Sequence, residues 1–243
     1  MRADYSACWA NYRCDCDRGM SKEHLLSKAL FPDQLVYVSG FAWCEGTEKR
    51  VGINSLQRKF LCAKHNNDLS QTDQAAVLAI SAFTTGKGTP PVMGLLLERW
   101  LLKTAINLSV GSNLHIGSGM ADSKTGWPSP YLLAVAFGDL LFSACMGAYF
   151  LLPQQPYSHR AGEFLVTPIY RDGAIGGFVF GLRGQFVFLS LYPGHVPPAI
   201  GLLAPSLLPE PLGTATLVYR PHSLLLQIGS SAPINVQLEW ATK

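Results

Sequence analysis

Cys14 and Cys16 stand one residue apart and are answered far down the chain by Cys62-Ala-Lys-His65. Together they offer three sulfurs and one imidazole. Soft and borderline donors of this kind, split between two distant segments, suit a closed tetrahedral zinc site that clips the segments together. Cys-x-Cys is tighter than the usual Cys-x-x-Cys, so Cys8 is close enough to replace one member, and Cys44 competes as well. The plainer alternative treats these cysteines as small buried hydrophobes. It gives little reason for their clustering toward the N-terminus.

Glu23-His24 follows eight residues after Cys16. A histidine with a near-neutral pKa can take a proton from water, and the carboxylate beside it can hold a hard divalent ion through oxygen. Phosphodiester hydrolysis uses both roles: the ion neutralises charge developing on the phosphate while the base makes the nucleophile. Taken alone, the same dipeptide is an ordinary surface carboxylate beside a histidine at an element boundary, and its spacing from the cysteines is what singles it out.

Ser21-x-Glu23-His24-Leu25-Leu26-x-Lys28-Ala29-Leu30 after the first cysteines, then Leu61-Cys62-x-x-His65-Asn66-Asn67-x-Leu69-Ser70, resembles the HNH endonuclease family over residues 8 to 85. The resemblance implies a zinc-stapled ββα-metal fold and metal-dependent cleavage of nucleic acid, mostly DNA. It also implies His24 as general base, Glu23 and Asn66 as ligands of a catalytic Mg²⁺ or Mn²⁺, and His65 in the place of the family's last zinc cysteine. The chain departs from the pattern twice. Gln57 stands where the family often has a base-orienting asparagine, with Asn54 slightly upstream. The family's final histidine is absent, leaving Ser70 or Asp73 as the nearest oxygen groups. On one continuous helix Asn66, Ser70 and Asp73 project to one side, so Asp73 joins the expected metal ligands. Its alternative place is the solvated face of that helix.

The elements that must position these residues are legible from pattern. Residues 36–43 and 49–61 read as two strands of a hairpin turning at Glu45-Gly46-Thr47, and 66–83 reads as the metal-bearing helix. Gly86-Lys-Gly-Thr-Pro-Pro91 is the expected linker. Residues 92–109 place Leu95, Leu96, Trp100, Lys103 and Asn107 in a strongly apolar helical pattern, which packs against both parts of the chain. The expected division is therefore a nuclease-like module at 1–88 and a helix plus β-rich domain at 89–243.

In that second part, 163–170, 174–182, 185–192, 213–219, 223–228 and 234–240 are short β-rich runs. Asp172-Gly173, Arg183-Gly184 and Arg220-Pro221-His222 are credible turns between them. An antiparallel sheet curled into a sandwich or partial barrel is expected, with residues 193–213 as a long loop. Phe178, Phe180, Phe186 and Phe188 alternate as strand-face residues do. His115, His159, His195 and His222 are scattered without metal-ligand spacing.

Composition bounds the rest. The chain has 243 residues, 48% of them hydrophobic, and a formal net charge of +3, a balance too mild to announce nucleic-acid binding by itself. Of its 19 Lys and Arg residues, 11 fall within the first 90 positions. Phosphates would be met there, by a salt-dependent and sequence-independent contact. Residues 131–152 are long enough to cross a bilayer, but Gly138-Asp139 interrupts them and no basic anchors flank them. A buried helix running into a core strand is the preferred reading, with no membrane partner. The polar N-terminus resembles no signal peptide, so a reducing cytoplasm, where clustered cysteines bind metal, is the expected setting. The apolar second half suits burial against a partner such as a second copy of the chain.

The sequence thus predicts an α+β protein with structural zinc and an HNH-type endonuclease site. The alternative is a catalytically inactive, zinc-stabilised module that binds nucleic acid or protein.

Overall fold

The short cysteine-flanked segments pair first. Strand β1 (Met20–His24) runs antiparallel to β4 (Gln57–Cys62), from Met20 opposite Cys62 to His24 opposite Gln57, with an irregularity between Ser21 and Glu23. Helix α1 (Ala63–Asp68) follows β4 with no linker, because Cys62 ends the strand in an extended conformation and its sulfur accepts the His65 amide at the first turn. Two strands and a helix are thereby joined around Cys62. The chain is described here from a computed structural model over residues 4–39, 44, 47–85, 90–112, 116, 127–153, 162–171, 174–191, 193, 215–226 and 233–241.

The expected helix over 66–83 is two helices. Leu69 separates α1 from α2 (Ser70–Thr85), and the Thr72 hydroxyl bonds the Leu69 carbonyl in the first turn of the second helix. The expected hairpin of 36–43 with 49–61 is also divided. Strands β2 (Leu35–Ser39) and β3 (Lys49–Gly52) do pair antiparallel, but a 3-10 turn at Ile53–Leu56 then redirects the chain and gives residues 57–62 to β1. The turn's Ile53 and Leu56 are buried, and their burial anchors it. Of the proposed Glu45-Gly46-Thr47 turn, only Thr47 lies within the described residues.

After β5 (Val92–Met93) comes α3 (Gly94–Ser112), whose 19 residues form the central helix. Apolar side chains surround it and its polar members Glu98, Lys103, Thr104, Asn107 and Ser109 are buried too, as expected of a helix enclosed on every side. Helix α4 (Pro130–Phe137) is capped by the Ser129 hydroxyl and ends at Gly138 in a left-handed conformation. It is followed by β6 (Gly147–Pro153). Residues 131–152 are therefore a helix and a core strand joined by an irregular stretch over 138–146, and no helix among the described residues is long and apolar enough to cross a membrane.

Strands β7 (Glu163–Arg171), β8 (Ala174–Leu182), β9 (Gln185–Ser190) and β10 (Ala215–Tyr219) fall close to the expected runs. Strands β11 (Ser223–Leu226) and β12 (Ile234–Glu239) do as well. Their assembly differs from expectation. The main sheet has the order β10-β6-β9-β8-β7-β2-β3, antiparallel throughout except where β2 lies parallel to β7 through Tyr37 opposite Glu163. A smaller sheet, β11-β12-β5, also has one parallel pair. The class is α+β as expected, but the C-terminal strands do not close a sandwich or barrel by themselves. They recruit β2, β3 and β5 from earlier in the chain.

The boundary at 88/89 does not separate two cores. One hydrophobic cluster extends from Cys8 and Trp9 through α2 and α3 to Leu238. Both faces of the main sheet's centre are covered, so its strands read as nearly continuous apolar runs. The four phenylalanines divide accordingly: Phe178 and Phe180 face the main core, while Phe186 and Phe188 lie with Tyr149 and Leu151 on the opposite side. The residues proposed for the Asp172-Gly173 turn, most of the 193–213 loop, and His115, His159 and His195 lie outside the described residues.

Candidate functional site

A candidate metal-binding cluster forms where β1, β4 and α1 meet the N-terminal segment. Its members are Cys8, Cys16, Cys62 and His65, whose ligand atoms all lie within 4.8 Å of one another. His65 Nδ1 stands 3.5 Å from the Cys8 sulfur, 3.6 Å from Cys16 and 3.2 Å from Cys62. The other ring nitrogen, Nε2, lies 2.7 Å from Asp15 Oδ1. An N–H there donates to the carboxylate and leaves the Nδ1 lone pair directed at the sulfurs, the outer-shell arrangement metal-binding histidines use. Lys64 in turn pairs with Asp15 at 2.7 Å and with Asp68 at 2.9 Å. The Lys64 hydrogen bond, with His65 adding to it, holds Asp15 down to about 2.

Three buried or half-buried sulfurs and one imidazole form a donor set that could hold a metal ion. Burial pushes the Cys8 and Cys16 thiols up, and for Cys16 the neighbouring sulfurs push further. Their thiolates therefore call for a cation among them. Phe137 from α4 packs its ring edge on His65 at 5.3 Å and carries the Arg13 guanidinium on its face at 4.5 Å. Arg13 also pairs with Asp139.

Cys14 does not belong to this cluster; Cys8 takes the place the sequence reading gave it. The 3-10 turn Asn11–Arg13 ends with Cys14 at φ 59°, and this left-handed residue turns its exposed side chain away to the Tyr12 carbonyl. Cys8 is fully buried, and its sulfur accepts the Cys62 amide. Cys44 is buried elsewhere, against the Val38 carbonyl. Proximity in sequence favoured Cys14. The available signal for Cys8 was Trp9 beside it, an apolar residue that draws this stretch into the core.

Glu23 and His24 occupy adjacent strand positions, and adjacent positions project to opposite faces. Glu23 points inward and is buried, while His24 is half-exposed. His24 Nε2 lies 3.3 Å from Asn54 Oδ1 and 2.8 Å from Gln57 Nε2. These contacts ask the nitrogen for an N–H and a lone pair respectively, and turning either terminal amide by 180° satisfies both. With the N–H toward Asn54, the lone pair rests on Nδ1. Both candidates for the base-orienting position, Asn54 and Gln57, thus reach the same ring. Lys22, two positions before His24 on β1, shares its outward direction and is exposed.

Inside, Lys103 of α3 places its ammonium 2.8 Å from Glu23 Oε1 and 2.8 Å from Asp73 Oδ2. Ser27 donates to the other Asp73 oxygen and receives the Trp100 indole N–H at 2.7 Å. One turn beyond Lys103, Asn107 accepts from the Trp9 indole and donates to the His24 carbonyl. Trp100, Lys103 and Asn107 form one hydrogen-bonding stripe on α3, and every member touches β1 or the residues just after it. The structure therefore brings together the two carboxylates expected at a magnesium site, but around an ammonium. With Lys103 seated there, Glu23 and Asp73 do not fit a divalent ion. Asn66 is half-buried on α1, and its side chain makes no hydrogen bond among the described residues. Asn66 lies on α1 and Asp73 on α2, with Leu69 between the two helices.

Lys103 was the largest omission from the expected site. A single lysine inside a strongly apolar helix was the available signal, since a buried ammonium requires anionic partners. Asp15, between the two nearby cysteines, was the other. Compared with family models, curated proteins and solved structures, the chain matches none of them.

Proposed function

We propose that this chain is a zinc-stapled endonuclease of the HNH type that hydrolyses phosphodiester bonds, with DNA as substrate and His24 as general base. The observation that carries the reading is the seating of His24: it ends a strand paired to the segment that supplies Cys62 and His65, and Asn54 and Gln57 both engage its Nε2. A tetrahedral zinc with bonds of ~2.3 Å to sulfur and ~2.0 Å to nitrogen has S···N edges of about 3.5 Å. The 3.2–3.6 Å separations at His65 agree with it. The zinc would hold α1 against β1 and β4 and so keep the base in place. With Nε2–H held by Asn54, Nδ1 takes the proton of an attacking water. A phosphorus–oxygen bond to that water forms, the bond to the leaving oxygen breaks, and solvent protonates the leaving group. Exposed Lys22 and Lys59, each two positions along its strand from the His24–Gln57 pair, are placed to meet phosphates.

A second reading, a zinc-stabilised module that binds nucleic acid without cutting it, is favoured by Lys103. Its ammonium uses Glu23 and Asp73, the carboxylates a catalytic magnesium would need. Nicking of supercoiled plasmid with Mg²⁺ or Mn²⁺ separates the two, run beside His24→Ala with verified folding and zinc content. Nuclease chemistry predicts a loss of about 10²–10⁴-fold in the variant. Absence of cleavage by the wild-type protein on DNA and RNA, with zinc-dependent binding retained in a mobility-shift assay, would select the module.

A further inference from the structure

At the β2–β3 edge of the main sheet, a cleft of about 520 Å³ opens among Tyr37, Arg50, Arg183, Leu35 and Phe31, with Asp33 also in its lining. It joins distant parts of the chain. The stretch before β2 supplies Phe31 and Asp33, the β2–β3 hairpin supplies Leu35, Tyr37 and Arg50, and the turn between β8 and β9 supplies Arg183. The volume suits a small ligand.

Two features give it a chemical preference. Arg50 places its guanidinium over the Tyr37 ring, 5.8 Å from the centroid, making a flat cationic and aromatic surface. Arg183 reaches across to donate from one terminal nitrogen to the Leu30 carbonyl at 3.0 Å, and its remaining N–H groups stay available. Among the described residues neither guanidinium is in an ion pair. Their two charges outweigh the single carboxylate of Asp33.

The backbone adds an independent indication. Arg183 and Gly184 form a two-residue hairpin turn with φ 48° and 81°. Turns with two left-handed residues favour Asn, Asp or Gly at the first position, and a branched-chain-free but bulky arginine there carries a cost of about 1 kcal/mol. A strained residue that sends its charge into a cleft is the pattern from which a binding role is inferred.

We propose that this cleft binds a nucleotide unit, with the phosphate accepted by Arg50 and Arg183 and the base stacked on the Tyr37–Arg50 surface. Guanidinium forks match phosphate oxygens, and an aromatic ring serves any base. The unit is either a free nucleotide or part of an unpaired strand, since both present the same phosphate and ring. The site is separate from His24 and does not depend on the nuclease reading.

Titration calorimetry of the full, zinc-loaded chain without added magnesium tests this, using AMP, adenosine and a 5′-phosphorylated decanucleotide as probes. AMP should bind at least about tenfold more tightly than adenosine, and Arg50→Gln should remove that advantage. The decisive variant is Arg183→Gly, because glycine accepts φ 48° without strain and the turn should keep or gain stability. It should nonetheless lose at least about tenfold in affinity. A decanucleotide that displaces AMP assigns the cleft to a strand, and one that does not assigns it to a free nucleotide. Equal affinity for AMP and adenosine, with oligonucleotide binding unchanged in Arg183→Gly, would overturn the proposal.

Discussion

The Lys103 ammonium lies 2.8 Å from a carboxylate oxygen of Glu23, and the same nitrogen lies 2.8 Å from Asp73. Helix α3 is thereby fastened to β1 and α2 by one cation. Burying a lysine side chain that is only 2% exposed carries a large desolvation cost, which the two carboxylates enclosing it offset. The same contact holds the strand that carries His24, so it links the fold to the candidate site.

Removing that cation should be more harmful than removing the whole cluster. Lys103→Met is expected to cost about 3–5 kcal/mol in urea unfolding, because it leaves two carboxylates together without a partner. The neutral triple variant Lys103→Met/Glu23→Gln/Asp73→Asn should recover much of the loss. Mn²⁺ should raise the unfolding midpoint of Lys103→Met by more than that of the wild-type protein, in which the ammonium already fills the Glu23–Asp73 pair. Equal stability of the single and triple variants would show that the ion pairs do not organise this region.

Zinc content distinguishes the two cysteines that compete for one position. Cys14→Ser should retain one zinc per chain and unfold within about 0.5 kcal/mol of wild type, as expected for an exposed side chain outside the cluster. Cys8→Ser should lose most of its metal and soften the junction of β4 with α1. Elemental analysis of dialysed protein reads both results, and the reverse pattern would restore Cys14 as ligand.

Asp15 tests the support of the metal centre separately from its ligands. Asp15→Asn keeps the side chain's size but weakens the acceptor facing His65 Nε2. Such outer-shell changes usually cost about 10–100-fold in affinity. Competition with a chromophoric chelator should show a loss of that size with stoichiometry preserved; undiminished affinity would make the contact incidental.

The second buried ion pair predicts a pH response. Glu98 of α3 receives the Arg220 guanidinium at 2.7 Å and the Ala148 amide at 2.8 Å. Gly147, at φ 106°, permits this approach, because a Cβ there would fall 2.3 Å from a Glu98 oxygen. Burial holds the Glu98 carboxyl above the ordinary range, with Arg220 opposing that effect. A carboxyl raised by folding binds its proton more tightly in the native state, so stability falls as pH rises from the ordinary carboxylate pKa through the native one. Arg220→Met should extend that window upward and destabilise by about 3–5 kcal/mol at pH 7. The deficit should shrink on acidification toward the ordinary carboxylate range. Urea midpoints from pH 4.5 to 8 measure it, and a constant deficit would place the loss in packing around Trp240, over which Arg220 also lies.

Short-range patterns were the most legible. The runs 163–170, 174–182 and 185–192 and the break at Gly138 were readable because β-rich stretches, turn residues and left-handed caps act over a few residues. The Cys62-x-x-His65 pair was readable for the same reason: its spacing sets both ligands on one helical turn. The 3-10 turn at Ile53–Leu56 was not readable, because its propensity is modest and burial decides it.

What the sequence determined by itself was therefore the α+β class, the identity of most elements, the Cys62–His65 half of the metal cluster and the presence of His24 beside a carboxylate. The tertiary structure decided the partners. It chose Cys8 over Cys14, set β2 beside β7, and filled the Glu23–Asp73 pair with Lys103 from 30 residues beyond Asp73. Each choice depends on which distant surfaces are buried together, and loop closure over such separations depends only weakly on length. Sequence spacing offers little to rank those partners; the shared core that α3 completes does so.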